Sequence, residues 1–305
     1  MNWRLSALPG HSGTTPGSTW RARPPAMALG SGVRLKTVRH DDLELQVLRA
    51  RYPGAQVMQR TRKSRRRTYT IKESTRQMLV SVTHATSGAN VIELEAVKTL
   101  SKFGVPVAKL VETFEDRIGR YLVQEFVNGT PLDEVLNLAD SDESFRLGET
   151  MGKLLQTVHS VPTGDFEGVP SPEGSWWDWI GLLQPGLSLP DGAIATEPEI
   201  TFVHNDFLPH NVLITPNGTE VAALIDFEWC FLGDPTWDIG YLKWWLDQDD
   251  YPHSQQCWSG VQSTYAGSID SPLGDFYASL RRPEPGTWWR GSMPPPVAWL
   301  SQRLH

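Results

Sequence analysis

The chain has 305 residues, 39% hydrophobic and 21% charged, which suits one large globular domain or two modest lobes around a cleft and argues against wholesale disorder. No run approaches the ~18 apolar residues of a membrane span. Two cysteines, Cys230 and Cys257, exclude a disulfide scaffold or cysteine-built zinc site and read as reduced thiols of a cytoplasmic protein. The net charge of −7 divides into +11 over residues 1–67 and −18 over the remainder. That split argues against a nucleic-acid binder, and suits a protein holding an anion with one half and a metal or cationic partner with the other.

Residues 1–40 contain no Asp or Glu, six Lys or Arg, and many Ser, Thr, Gly and Pro. They read as a disordered extension, or as a segment ahead of a second start at Met27. From Asp41 an amphipathic helix carries Leu43, Val47 and Leu48 and ends at Pro53-Gly54. Strand-like runs follow at 55–59, 68–72 and 78–83, the first turn between them basic and without glycine. Ile92, Ala96, Val97 and Leu100 have helical spacing, closed by Gly104. Two more strands, 110–114 and 120–126, flank a turn at Asp116–Gly119. One small α+β lobe over 41–127 accounts for this order. Beyond it, 128–305 reads as mainly helical. A buried helix face lies over 143–159, a short helix over 176–183, and the last residues form a Pro/Trp-rich segment without helical character.

The stretch from Thr201 to Ile214 is polar at its centre and apolar at both ends, so two buried strands would hold its middle as a rigid loop. It contains His204, Asp206 and Asn211, and Ile225-Asp226-Phe227 supplies a second carboxylate after another apolar strand. Two carboxylates and an amide oxygen on adjacent rigid loops make a hard oxygen site suited to Mg²⁺. A carboxylate not used for metal can accept a hydroxyl proton, which is the equipment of phosphoryl transfer. The alternative for each residue singly is an ordinary turn former.

Here the chain resembles the aminoglycoside phosphotransferase and choline kinase-like family, a relative of the protein kinases. The resemblance rests on His204-x-Asp206-x₄-Asn211, on Ile225-Asp226-Phe227, and on Gly233-Asp234-Pro235-x-x-Asp238-Ile239-Gly240. Upstream, Glu95-Ala96, Gly104-Val-Pro-Val107 and Tyr121 to Gly129 fit the same pattern. It implies an α+β, two-lobed protein-kinase-like fold, with a small mixed β-sheet N-lobe and a mainly helical C-lobe. It implies ATP and Mg²⁺ as cofactors and a small-molecule hydroxyl as acceptor, of aminoglycoside, choline or sugar type. By position, Asp206 becomes the base, Asn211 and Asp226 the Mg²⁺ ligands, and Glu125, Phe126 and Val127 the hinge that holds adenine. Asp238 becomes a structural acid bracing the loop, and His204 a packing residue of that loop.

Two departures stand out. The family expects a lysine or arginine on the third strand, paired with the helix glutamate taken as Glu95, yet the third strand offers Ser81. Lys72 or Arg76 is the substitute, or either is a solvated turn cation. The turn 62–67 lacks the glycines that wrap phosphate, so Ser64 and neighbouring arginines contact phosphate by side chain or form a plain basic hairpin. Trp176, Trp177, Trp179, Trp244 and Trp245, with Asp247, Asp249 and Asp250, either line a site for an amine-bearing acceptor or simply pack between helices. No P-loop, dinucleotide fingerprint, His-Glu-x-x-His or Gly-x-Ser-x-Gly is present. The reading is an ATP- and Mg²⁺-dependent phosphotransferase. The alternative is a degenerate kinase-fold protein that binds nucleotide or a partner without catalysis.

Overall fold

A computed structural model describes residues 40–62, 66–83, 89–183, 197–218, 220–248, 251–267, 269 and 272–281. The extension expected over 1–40 lies outside the described residues except for His40, as do Ser64, Asp249, Asp250 and the Pro/Trp-rich segment from 282 onward. The first half is a five-stranded antiparallel sheet ordered β1-β2-β3-β5-β4. Its strands are β1 (Gln56–Arg62), β2 (Arg66–Lys72), β3 (Gln77–Thr83), β4 (Leu110–Glu115) and β5 (Arg120–Glu125). Period-two alternation gives it two distinct faces. Tyr69, Ile71, Met78, Val80 and Val82 point to the back and pack with Leu48 and Tyr52 of helix α1 (His40–Arg51) and its end. Leu79 and Thr68 face the other way, into a cleft.

The fully buried Glu44 clamps α1 to the sheet by accepting hydrogen bonds from Arg67 Nε at 2.7 Å and Tyr69 Oη at 2.5 Å. Burying that carboxylate is tolerable because it is paired and hydrogen-bonded. Helix α2 (Ala89–Lys102) ends as its sequence foretells. Gly104 has φ +77°, Gly104 N–H bonds Ser101 O, and Val105 N–H bonds Leu100 O, the double closure that favours glycine at this point. Pro106 follows and accepts from Leu224 N–H at 2.8 Å, tying this end of the helix to the second half of the chain. The apolar face of α2 joins the core of that second half rather than the back of the sheet.

The second half is built on helix α4 (Ser141–His159), which Asp140 caps by accepting from Glu143 N–H at 2.9 Å. It follows β6 (Thr130–Pro131) and the short α3 (Leu132–Leu136), and precedes α5 (Trp176–Leu183). Short strands β7 (Thr201–Val203), β8 (Val212–Ile214), β9 (Val221–Leu224) and β10 (Phe231–Gly233) come next. The chain then continues through α6 (Thr236–Gln248), α7 (Ser254–Thr264) and α8 (Pro272–Arg281). Strands β6, β8 and β9 form one small antiparallel sheet, and β7 pairs with β10. Helices α4 and α7 touch backbone to backbone. A Cβ at Gly148 would lie 1.9 Å from Cys257 O, and one at Gly260 2.0 Å from Phe145 O.

Those contacts set a test. Gly148→Ala forces the helices apart and is expected to cost about 1–3 kcal/mol or more, as overpacking does. Gly181→Ala, where an added Cβ meets nothing within 4 Å, should be neutral or slightly stabilising. Urea unfolding midpoints of the two variants give the comparison.

Candidate active site

Strands β7 and β8 hold between them a loop, 204–211, whose shape is set by one buried carboxylate from outside it. Asp238, in the first turn of α6 and 1% exposed, accepts from the backbone N–H groups of His204 and Asn205, both at 2.8 Å. His159 Nε2 lies 3.2 Å from the same carboxylate. Asn205 adopts φ +65°, a conformation rare for a side-chain-bearing residue. It is held there by Trp237 Nε1 donating to its Oδ1 at 2.8 Å and its own Nδ2 donating to Trp229 O at 2.9 Å. Asp238 thus has the bracing geometry expected of it.

His204 is fully buried and neutral. Its Nδ1 accepts from Asp206 N–H at 3.2 Å, so Nε2 carries the proton toward Ile225 O at 3.1 Å. Burial holds its pKa below the ordinary 6.5, against the pull of Asp238, Asp206 and Asp226. The ring ties the loop to the next one and has no free proton to exchange, which fits a packing role.

The same loop presents Asp206 and Asn211 together. Both hydrogens of the Asn211 amide are committed to Asp206, one to its backbone oxygen and one to Oδ2, each at 2.9 Å. That orients the Asn211 Oδ1 as the remaining acceptor. Ile225 N–H bonds Asn211 O at 3.0 Å and Val212 pairs with Leu224, so β8 and β9 carry Asn211 and Asp226 side by side. Asp226 has φ +67°, a second strained backbone held in place by its surroundings. An amide oxygen and a carboxylate on paired rigid strands are a donor set that fits Mg²⁺.

Across the cleft the sheet brings one guanidinium to this point. Arg66 Nη1 is 2.8 Å from Asp226 Oδ1 and 3.3 Å from Glu228 Oε2. Its Nη2 is 3.0 Å from Glu93 Oε2 and donates to Ser81 Oγ at 2.7 Å. The helix glutamate facing the site is therefore Glu93, not Glu95. Glu95 pairs with Lys98 on its own helix at 2.9 Å. Two residues along a helix turn the side chain by about 200°, so only one of the two can face inward. Glu93 shares the stripe of Ala96, Val97 and Leu100, and Glu95 that of Lys98 and Lys102, a signal present in the sequence. Burial pushes the Glu93 carboxyl up to about 7, opposed by Arg66.

Lys72 and Arg76 are also corrected as substitutes for the third-strand cation. Lys72 is exposed and pairs in register with Gln77, whose carbonyl accepts from Phe126 N–H at 2.9 Å, so it stands at the hinge end of the sheet. Six strand residues, roughly 20 Å, separate it from Arg66. Arg76 is exposed and paired with Glu73. Glu228 was missed by the sequence reading, which offered Arg66 only as one of the arginines of the turn 62–67. For Arg66 the usable signal was parity: Arg66 alternates with Thr68 on the cleft face, while Arg67 alternates with Tyr69 and Ile71 on the back.

The cleft has a volume of about 630 Å³, and Leu79, Ala108, Leu213 and Leu224 supply its apolar walls. Glu125, Phe126 and Val127 line it as expected. Phe126 N–H is already spent on Gln77 O, and Glu125 N–H on Lys109 O at 2.8 Å. Val127 is then the hinge residue whose N–H has no partner among the described residues. Of the two alternatives for the tryptophans, packing holds for three of the five. Trp176, Trp177 and Trp179 are at most 5% exposed and pack in one aromatic cluster with Phe231, Trp237 and Tyr277. Their lack of exposed surface takes them out of any acceptor wall. Tyr241, Trp244 and Trp245 of α6 are partly exposed, and Trp245 meets His210 of the loop 204–211 edge-on at 5.6 Å.

This geometry matches known proteins. The sequence model of the phosphotransferase enzyme family (APH) fits residues 58–178 and 170–255, more than half of the chain. The chain belongs to that family. A curated relative, an aminoglycoside 3'-phosphotransferase of Streptomyces fradiae, is 25% identical over 181 residues, 52% of this chain and 66% of that protein, just under two thirds of its length. Among solved structures, an aminoglycoside-3'-phosphotransferase of type VIII aligns with TM-score 0.62 at 21% identity, over 79% of this chain and 98% of that one. APH(3'')-Id from Streptomyces rimosus aligns with TM-score 0.58 at 17% identity, over 77% and 95%. A thermostable mutant of APH(4)-Ia, in ternary complex with AMP-PNP and hygromycin B, aligns with TM-score 0.58 at 14% identity, over 76% and 86%. At these identities the structures establish the shared phosphotransferase fold, and with it the expected two-lobed α+β architecture.

The neutral His204 yields a pH prediction. Unfolded, His204 takes up a proton below about pH 6.5, and folded it does so only at lower pH. The unfolded state then binds more protons, and stability falls as pH drops from 7 toward 5, by up to about 1.4 kcal/mol per unit from this residue. Denaturant unfolding at several pH values should show a shallower slope for His204→Gln than for the wild type.

Proposed function

We propose that this protein transfers the γ-phosphoryl group of ATP to a hydroxyl of a small molecule. The observation that carries this is the Asn211 amide. By giving both hydrogens to Asp206, it fixes the base and leaves its own oxygen, beside Asp226, for a cation. In this reading Val127 N–H holds the adenine edge. The edge of β8 and β9 meets the phosphates. Asp206 orients the acceptor hydroxyl and takes its proton as the new bond forms. Asn211 and Asp226 would hold Mg²⁺, which supplies neutralisation of the phosphate oxygens.

The named relatives are aminoglycoside phosphotransferases, and one was solved with hygromycin B. An amine-bearing polyol is accordingly the acceptor class we favour, with Tyr241, Trp244 and Trp245 as an aromatic flank for its cationic groups. Buried, free Cys230 and Cys257 suit a reducing compartment such as the cytoplasm. No described helix is long and apolar enough to cross a membrane. Ser81 in place of a strand cation favours a non-catalytic nucleotide binder. The guanidinium 2.7 Å from it weighs against that alternative.

Thermal unfolding with ATP, with Mg²⁺ and with both tests the nucleotide half of the reading. The largest rise in melting temperature is expected with both, and loss of that excess in Asp226→Ala. Asp206→Asn should lower kcat with an amine-bearing polyol by about 10²–10⁴-fold while ATP affinity stays nearly unchanged. Full activity in that variant would remove Asp206 from the chemistry.

A further inference from the structure

We infer that Arg66, on the second strand, is the phosphate-binding cation of this site, standing in for the lysine or arginine that Ser81 replaces on the third. The inference rests on the phosphotransferase reading and adds a residue to it. Thr68 pairs with Ser81 and Arg66 with Thr83, so Arg66 and Ser81 are diagonal neighbours on the cleft face. A serine leaves open the volume that a long side chain would fill, and the guanidinium enters it from the next strand, donating to Ser81 Oγ at 2.7 Å.

The neighbours of that guanidinium are what such a cation needs. It bridges the helix α2 carboxylate, Glu93, and the metal-loop carboxylate, Asp226, and so joins sheet, helix and loop at one point. Three carboxylates, Glu93, Asp226 and Glu228, surround one positive group. Arg66 Nε is buried and has no hydrogen-bond partner among the described residues. A buried unpaired donor is costly, and a phosphate oxygen is the acceptor that would satisfy it with charge assistance. Of the other cations, Arg60 alone among described Lys and Arg residues shares the lining of the cleft, and it lies over the Phe126 ring at the hinge. The phosphate end of the cleft is left to Arg66.

Calorimetric titration of the full chain with MgATP and, separately, with adenosine distinguishes a phosphate ligand from a structural brace. Arg66→Met should weaken MgATP by about tenfold or more and leave adenosine nearly unchanged. Arg66→Met/Ser81→Lys should recover most of the MgATP affinity, because the cation returns by way of the third strand. Ser81→Lys alone crowds two cations together and should not improve it. Equal weakening of MgATP and adenosine by Arg66→Met would make Arg66 a structural residue, and unchanged MgATP binding would also overturn the inference. So would selective MgATP loss without recovery in the double variant. If Arg66→Met does not fold, the double variant decides alone, since it keeps a cation among the three carboxylates. A wild type that binds neither MgATP nor adenosine would remove the phosphotransferase reading itself, whereas wild-type binding with an indifferent Arg66→Met removes only the role of Arg66.

Discussion

The buried carboxylate of Asp238 carries the architecture of the site. It accepts two backbone N–H groups at the start of the loop 204–211 and sits against His159, so its charge is met by backbone dipoles and an imidazole ring. Without an acceptor at that point, the amides of His204 and Asn205 would be buried and unpaired, and the left-handed Asn205 would keep only its side-chain bonds to Trp237 and Trp229. The loop then places Asp206 and Asn211, and His204 ties it to Ile225, the residue before Asp226. A residue outside the cleft lining thereby helps set the positions of Asp206, Asn211 and Asp226.

Arg66 plays the complementary part on the other wall. Its desolvation is offset by Glu93, Asp226 and Glu228 together, and by none of them alone. Because those carboxylates come from a helix and from the loop after β9, the guanidinium couples the sheet to the second half of the chain at the site itself. Further ties are the packing of α2 on the core of the second half, the Pro106–Leu224 hydrogen bond and the bond from Thr99 Oγ1 to Asp165 O at 3.1 Å. The cleft is therefore held from both walls by ion pairs and hydrogen bonds, with its apolar surface left for a planar ligand.

Much of this was legible in the residues. The period-two pattern of β2 and β3, the Gly104 stop of α2 and the polar loop framed by apolar strands are local signals, set by backbone sterics and alternation. Asp206, Asn211 and Asp226 could be picked out because their spacing and framing are themselves local. Glu93 and Arg66 were harder. Each required choosing which face of an element turns inward, and Glu95 and Lys72 looked equally plausible when only residue type and separation were weighed. The tryptophans stayed open between two alternatives for a related reason. Large aromatic rings supply core packing as readily as binding surface, and only burial separates Trp176, Trp177 and Trp179 from Trp244 and Trp245.

The sequence by itself determined the family, the strands and helix of the first half, and the polar loops around Asp206, Asn211 and Asp226, because those rest on interactions within a few residues of one another. Tertiary structure decided which cation faces Asp226, which glutamate answers it and which rings remain open to a ligand. Those outcomes depend on diagonal contacts between strands and on the rotation of a helix about its axis, neither of which local spacing can fix.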